Sequence, residues 1–264
     1  MPTGHSLSRG SLSGYIQESM MCIEVLKSRA QIQEARTELE RRALSFTSPW
    51  WKDFGRKVGL SKAIGLGDEL KSWDVLKTLH FIEKNVPPNA PILDIGAFAS
   101  ELPSILHTIN YSNLAGIDLN PDIKRMPHAG AIRYEVSDFV HTQFAGESFQ
   151  VITAISVIEH GFRSPQLLAE VSRLLLPGGY FIASFDYWPD KVDTKGVSFF
   201  GMDWTIFSEQ EVREFLKQAQ SYNLNPFGQF DLTGGDKPIK CANKEYTFAW
   251  MVLQKGAENK ASAK

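Results

Sequence analysis

The residues best suited to chemistry are two acids and a histidine that follow separate apolar runs. Asp118, Asp138 and His160 come at or shortly after apolar runs that end near residues 117, 136 and 155. Because the carboxyl ends of parallel strands meet at one edge of a sheet, we expect these side chains to lie close together. A carboxylate there can accept hydrogen bonds from both ribose hydroxyls, and an imidazole titrates near neutrality. The pattern predicts a nucleotide site beside a candidate base.

A glycine turn must position these groups. The apolar run Pro91 to Ile95 predicts a buried strand, Gly96 ends it, and Ser100 to Leu106 predicts a helix. The second predicted strand ends at Asp118. Strand, glycine turn, helix, strand and terminal acid is the arrangement of a nucleotide-binding βαβ unit, in which the helix start offers free N–H groups.

The turn argues against a dinucleotide. It has one glycine rather than G-x-G-x-x-G, and Glu101 stands close to where a pyrophosphate would sit. A ligand with adenosine and an amino acid in place of phosphates, such as S-adenosylmethionine, suits this turn better. The substitution argues against NAD more strongly than it argues for any one alternative.

Composition sets the broad class. The chain has 264 residues, of which 43% are hydrophobic, and a net charge of −2. This charge gives no reason to expect nucleic acid or an anionic membrane as a partner. Cys22 and Cys241 lie far apart without metal-ligand spacing, and no apolar run reaches the roughly 18 residues of a membrane helix. Without the pattern of a secretion signal, we expect a cytoplasmic protein with no metal site.

The first 86 residues predict a helical appendage. Residues 1–14 are rich in Gly and Ser and predict a disordered tail, and the apolar spacing from Tyr15 to about Leu44 predicts one amphipathic helix. That helix could pack on the main domain or a second copy of the chain, or form a lid. Trp50, Trp51 and Phe54 could line an acceptor pocket or anchor the connection. A second helix is predicted from Asp68 to about Lys84.

Residues 87–256 predict the main domain, followed by a flexible tail at 257–264. Strands alternate with helices, which predicts an α/β fold with a doubly wound, mostly parallel sheet. Ser208 to Glu211 form a predicted capping box. Phe227 to Leu232 and Tyr246 to Leu253 predict two final strands, which a loop at Gly234-Gly235 could join as a hairpin.

The order of these motifs resembles the class I S-adenosylmethionine-dependent methyltransferases, over about residues 87 to 254. The resemblance rests on five segments in the family's order and spacing: Leu93–Gly96, Gly116–Leu119, Val136–Phe139, Phe149–His160 and Leu174–Tyr180. It implies a seven-stranded, Rossmann-like sheet with an antiparallel last strand and S-adenosylmethionine as the cofactor. The chain departs from the family at Phe98 and Ser100, where glycines are usual.

The resemblance also implies roles for individual residues. Asp94 would help to hold the methionine end, Gly96 would let the cofactor pass close, Asp118 would bind the ribose and Asp138 the adenine amino group. The other implied cofactor contacts are Ala97, Phe98, Leu119, Ser137, Phe139, Ile155 and Ser156.

A base near the strand ends is needed if the acceptor is a hydroxyl. His160 is the first candidate, although a lone histidine is also commonly structural, and Glu159 and Asp186 are alternatives. Asp186 opens a long loop to Trp204 that mixes acids with aromatic residues. This mixture suits a sugar-like acceptor or simply an ordered cover for the sheet.

These observations predict a methyltransferase that acts on a small polar molecule, with O-methylation favoured over N- or C-methylation. An alternative is a non-catalytic protein of the same fold that binds a partner through its N-terminal helix. A homodimer through that helix is a further prediction. An NAD-dependent oxidoreductase is disfavoured by Glu101 and the missing glycines.

Overall fold

The computed structural model describes residues 21–47, 64–161 and 163–257. The strands are β1 (Met21–Val25), β2 (Ile92–Ile95), β3 (Leu114–Asp118), β4 (Arg133–Val136), β5 (Phe149–Ile155), β6 (Leu175–Tyr187), β7 (Ser198–Phe199), β8 (Met202–Asp203), β9 (Leu224–Pro226), β10 (Gln229–Phe230), β11 (Ile239–Cys241) and β12 (Lys244–Lys255). The α-helices are α1 (Arg29–Arg41), α2 (Ser72–Asn85), α3 (Leu102–Thr108), α4 (Ser164–Leu174) and α5 (Glu209–Ser221). Single-turn 3-10 helices occur at Glu69–Lys71 and Pro121–Arg125. In the described residues, no helix is both long and apolar enough to span a bilayer.

One mixed sheet organises the molecule. Its strand order is β10-β1-β12-β6-β5-β2-β3-β4, and β9 and β11 pair with β12 outside this path. Five adjacent strands run parallel to one another, in the order β4, β3, β2, β5 and β6. Strand β12 lies on the other side of β6 and runs antiparallel to it. The predicted α/β class and the antiparallel last strand are therefore confirmed, although the sheet has ten strands rather than seven.

Apolar side chains cover both faces of this sheet. Every residue of β2 is buried, which explains why the strand is a continuous apolar run around one acid. Leu79 and Ile82 of α2 pack on one face, and Leu168 and Val171 of α4 pack on the other. Because these strands pair in parallel, their carboxyl ends lie together at one edge of the sheet, as the sequence predicted.

The N-terminal segment differs from the prediction. Residues 21–25, predicted as helix, form β1, which pairs antiparallel with β12 through Ile23 to Met251 and Val25 to Ala249. The helix begins only at Arg29. Pairing with a strand more than 200 residues away outweighs the local spacing of apolar residues, because β12 offers a free row of backbone hydrogen-bonding groups.

The predicted hairpin near the C-terminus is also wrong. Residues 224–232 form two short strands, of which β10 pairs with β1 and β9 pairs with the end of β12. The hairpin partner of β12 is β11, through a turn at Ala242-Asn243, in which both residues have left-handed φ values of 47° and 59°. By contrast, the capping box predicted at Ser208 is present at the start of α5.

Several predictions lie outside the described residues. They are the tail at 1–14, the aromatic cluster Trp50, Trp51 and Phe54, and all but the first residue of the tail at 257–264.

Candidate active site

A cavity of about 630 Å³ lies at the carboxyl ends of the parallel strands. Nine of the fourteen predicted site residues line it: Gly96, Phe98, Asp118, Leu119, Ser137, Phe139, Ile155, Ser156 and His160. Its volume falls within the range of about 300–1,000 Å³ that is usual for small-molecule sites. The structure thus brings the ends of β2, β3, β4 and β5 together around one space.

The glycine turn is closely packed against the end of β5. Gly96 has a φ of 69°, and a Cβ at this position would lie 2.4 Å from Cγ2 of Val157. A larger residue would therefore have to displace the Val157 side chain and would be strained at this left-handed φ. Phe98 forms part of the cavity wall, and Ala99 takes a left-handed φ of 63° where a glycine would be less strained. The loss of the usual glycines is accommodated without closing the cavity.

Asp118 lines the cavity at the end of β3. Its Oδ2 accepts a hydrogen bond from the Phe98 N–H at 3.1 Å and its Oδ1 accepts one from the Asn120 N–H at 2.8 Å. A carboxylate has about four lone-pair directions, so both oxygens can accept further hydrogen bonds from a ligand. This geometry suits the predicted contact with two ribose hydroxyls.

Asp138 does not line the cavity. Its Oδ1 accepts a hydrogen bond from the Val140 N–H, and its Oδ2 lies 3.4 Å from Arg163. Ser137 and Phe139, on either side of it, do line the cavity. The turn that follows β4, in which Asp138 accepts from the Val140 N–H, thus directs this acid away from the cavity.

Asp94 and Ala97 lie behind the cavity wall. Asp94 is buried, and its Oδ1 accepts a hydrogen bond from Thr153 Oγ1 at 2.5 Å. Burial raises the pKa of Asp94 to about 6, and hydroxyl hydrogen bonds oppose this shift. Ala97 is fully buried. The positions of both residues suit an indirect role in supporting the turn.

His160 lines the cavity as an isolated imidazole. Its Nδ1 is buried and has no hydrogen-bond partner in the part of the chain that the structure describes. Burial and the nearby charge of Lys71 lower the pKa of His160 to about 4. The ring is therefore neutral at pH 7 and has a nitrogen that can accept a proton or a hydrogen bond.

The other two base candidates, Glu159 and Asp186, do not line the cavity. Together with Asp74 they lie around Lys71, and we call these three acids the acid cluster. Asp186 accepts a hydrogen bond from Trp204 Nε1 at 2.7 Å, and Lys71 Nζ lies 3.9 Å from Asp186 Oδ1. Burial raises the pKa of all three acids. Neither Glu159 nor Asp186 lines the cavity, so neither is placed to reach a ligand directly.

The N-terminal segment supplies cavity residues that the motifs did not identify. Gly67, Asp68 and Lys71 line the cavity, and the Gly67 N–H donates to the Ala99 carbonyl at 2.9 Å. The 25 residues between α1 and Gly67 hold no motif that links them to the turn, so only the folded chain reveals this wall.

Glu101 has a different role from the one that its position suggested. It is buried and forms a two-pronged ion pair with Arg36 of α1, at 2.8 and 3.2 Å, and it also accepts from the Phe46 N–H. Its charge is thus compensated inside the protein. The sequence argument that Glu101 would repel a pyrophosphate is therefore weakened, because that argument treated the acid as free.

Comparison with known proteins identifies the domain. Residues 93–183 match the family model described as a methyltransferase domain. This part of the chain is therefore similar to a methyltransferase domain. The methyltransferase domain contains the glycine turn, Asp118, His160 and the strands that hold them.

Two curated relatives resemble the methyltransferase domain and its surroundings. The eEF1A lysine and N-terminal methyltransferase of Danio rerio is 30% identical over 157 residues, which are 54% of this chain and 22% of that protein. Sterol methyltransferase-like 1 of Botryococcus braunii is 30% identical over 104 residues, 36% of this chain and 27% of that protein. The chain thus spans only about a quarter of the length of either relative.

Solved structures resemble the fold. Geranyl diphosphate C-methyltransferase of Streptomyces coelicolor, solved with S-adenosyl-L-homocysteine, has a TM-score of 0.50 and 15% identity. The match covers 79% of this chain and 99% of that one. This likeness shows the fold alone.

The cavity fits the cofactor of this family. Gly96 and Phe98 would lie against S-adenosylmethionine, and Asp118 would hold its ribose, while Leu119 and Phe139 offer apolar walls for a purine. Ile155 and Ser156 also line the cavity, at the end of β5 and a few residues before His160 in the chain. In the described residues, no group of three or more His, Cys, Asp or Glu could hold a metal ion.

Proposed function

We propose that this chain is a methyltransferase that transfers a methyl group from S-adenosylmethionine to a hydroxyl of a small molecule, with His160 as the general base. The observation that carries this proposal is the position of His160, whose neutral imidazole lines the cavity just beyond the end of β5. The sequence-based expectation for the acceptor was a sugar or another secondary metabolite.

The chemistry needs alignment more than activation. S-adenosylmethionine supplies a methyl group that is already activated as part of a sulfonium. The protein must orient the acceptor oxygen and remove its proton, which would pass to His160 as the new carbon–oxygen bond forms. An oxygen that has gained a methyl group while still protonated is very acidic. A weak base with a pKa of about 4 is therefore sufficient.

Lys71 would help His160 to act as a base. Its charge disfavours a permanently protonated imidazole, so the ring would be neutral before each turnover and would release its proton readily afterwards. Turnover should then fall only as the pH drops through about 4, with no inflection near the ordinary histidine pKa of about 6.5.

The test combines binding and turnover. Calorimetry should detect S-adenosylmethionine and S-adenosylhomocysteine at micromolar levels, and transfer of a labelled methyl group should be measured over a panel of hydroxylated compounds. His160→Ala should leave cofactor affinity intact and reduce turnover by about 10²- to 10⁴-fold. His141→Ala, at an exposed histidine, is the matched control. Unchanged turnover in His160→Ala would remove this residue from the role.

The non-catalytic alternative predicts no cofactor binding. In the described residues, the apolar side of α1 is already covered, because Ile32, Ala35 and Leu39 are buried. A partner, including a second copy of the chain, would therefore have to use the polar side of this helix. The homodimer stays a prediction, which light scattering can test.

A further inference from the structure

The hairpin of β7 and β8 holds an aromatic side chain in an unusual position. Phe200 forms the turn with Gly201, and its side chain is 88% exposed even though it lines the cavity. Its φ of 56° lies in the left-handed region, which a bulky residue rarely adopts. Burial does not explain a phenylalanine at this exposed position, and neither does the backbone conformation. Contact with a bound ligand would explain it.

Apolar groups surround the candidate base on this side. The Phe200 ring lies 5.6 Å from the His160 ring, centroid to centroid, and the Phe199 ring lies 6.0 Å from it, both edge-on. Met202 and Val157 also line this part of the cavity. The hairpin thus forms an apolar wall beside the imidazole of His160.

This wall is separate from the cofactor side. In the sheet, β5 and β3 lie on opposite sides of β2. His160 follows β5, whereas Asp118 and Asn120 come at and after the end of β3. A cofactor held at Asp118 therefore leaves the hairpin side free for the acceptor.

The acids of the long loop do not contribute polar contacts to the acceptor side. Asp186 is buried against Trp204, and Asp190 and Asp193 are exposed and do not line the cavity. Beside the hairpin, the polar side chains near His160 that line the cavity are few, namely Ser156, His160 itself and Lys71. A sugar needs many hydrogen-bond partners when it is buried, and this side supplies few.

We propose that Phe200, together with Met202, is the specificity surface for the acceptor, and that the acceptor carries its hydroxyl on an apolar aromatic or aliphatic body. The inference rests on the proposed methyl transfer and narrows its acceptor class. The apolar body packs on the hairpin, and the hydroxyl faces His160. The covered Phe200 ring is then removed from water.

The experiment uses 2-naphthol as an apolar alcohol and methyl glucoside as a polar one. Binding to the full chain is measured by saturation-transfer NMR with S-adenosylhomocysteine present, and methylation is measured with labelled S-adenosylmethionine. The test variant is Phe200→Asn, because Asn tolerates a left-handed φ. The control is Phe230→Asn, at a half-exposed phenylalanine on β10 that does not line the cavity.

Phe200→Asn should weaken 2-naphthol binding by about fivefold or more, because apolar area is no longer buried. Cofactor affinity should stay the same within about a factor of two. Phe200 and Asp118 lie on different sides of the cavity, and changes at distant sites act independently. Phe230→Asn should change neither. Preferred binding of methyl glucoside, absence of 2-naphthol binding, or equal binding by Phe200→Asn would overturn the inference.

The two proposals fail in different ways. If 2-naphthol binds through Phe200 but no hydroxyl compound is methylated, the proposed O-methylation fails and the apolar acceptor side stands. If methyl glucoside is methylated and 2-naphthol does not bind, the methyl transfer stands and the acceptor class is wrong.

Discussion

The buried acid Glu101 and the acid cluster both lie near the cavity, but their hydrogen-bonding environments differ. Glu101, beside the glycine turn, is matched by both prongs of Arg36 and by a backbone N–H. The acid cluster on the other side has three carboxyl groups around Lys71, and each has one oxygen without a hydrogen-bond partner in the described residues.

This difference in pairing indicates that Glu101 supports the fold, whereas the acid cluster contributes to function. A fully paired buried acid fixes the position of the turn, and its charge is compensated at low exposure. Buried acids that keep one oxygen without a hydrogen-bond partner cost stability, and such groups are concentrated at functional sites. We therefore expect changes at Arg36 to act on folding, and changes at the acid cluster to act on the pH response.

The largest effect should follow the loss of Arg36. Arg36→Ala leaves Glu101 as a buried charge without a partner, so the free energy of unfolding should fall by about 3–5 kcal/mol. Denaturant unfolding measures the change. Arg41→Ala is the control, since Arg41 pairs with Glu38 in solvent, and its midpoint should not move measurably. Equal loss in both variants would remove the distinction between the two groups of acids.

The acid cluster should make stability depend on pH. Burial raises the pKa of Asp74 from 3.8 to about 7, so the folded protein keeps a proton that the unfolded chain releases above pH 4. Stability should fall between pH 4 and pH 7, on the order of 2–4 kcal/mol, since one pKa unit corresponds to about 1.4 kcal/mol. Asp74→Asn should flatten this slope in unfolding experiments at several pH values. A slope unchanged by Asp74→Asn would show that other groups cause it.

Asp118 should dominate cofactor affinity. Asp118→Ala removes the carboxylate that is placed for the ribose, and hydrogen bonds to charged groups contribute about 1.5–3 kcal/mol. The dissociation constant of S-adenosylhomocysteine should therefore rise about 10- to 100-fold by calorimetry. A melting curve close to that of the unchanged protein is the control for folding. Unaltered affinity would place the cofactor elsewhere.

The smallest effect is expected at Asp138. Because this acid pairs with Arg163 and does not line the cavity, Asp138→Ala should change S-adenosylhomocysteine affinity by less than about threefold, as for an exposed pair of about 0–1 kcal/mol. A loss as large as that of Asp118→Ala would return Asp138 to the adenine contact that the family resemblance implies.

The sequence predicted the parallel core well because local signals there agree with the fold. Buried strands such as β2 and β3 are short apolar runs, and Gly96 and Asp118 mark where they end. The side chains of residues 137–139 were harder to assign. A shift of one position decides whether Asp138 or Phe139 faces the cavity, and no local signal fixes that orientation.

Long-range contacts could not be predicted in the same way. Arg36 and Glu101 are 65 positions apart, and neither residue stands in a motif that indicates the other. The hairpin at Phe199 to Met202 did leave a signal. A glycine directly after Phe200 in an aromatic-rich loop is typical of a two-residue turn, although the cavity contact itself depends on the folded loop.

The pairing of β1 with β12 means that a chain trimmed at the predicted domain boundary near residue 87 would not be self-sufficient. In the described structure, β9 and β11 cover only the two ends of β12, Leu253–Lys255 and Lys244–Tyr246. Removal of β1 would leave the backbone at Ala249 to Met251 unprotected. Such an open strand edge recruits other chains, so we expect the shortened protein to aggregate rather than to behave as an isolated catalytic unit.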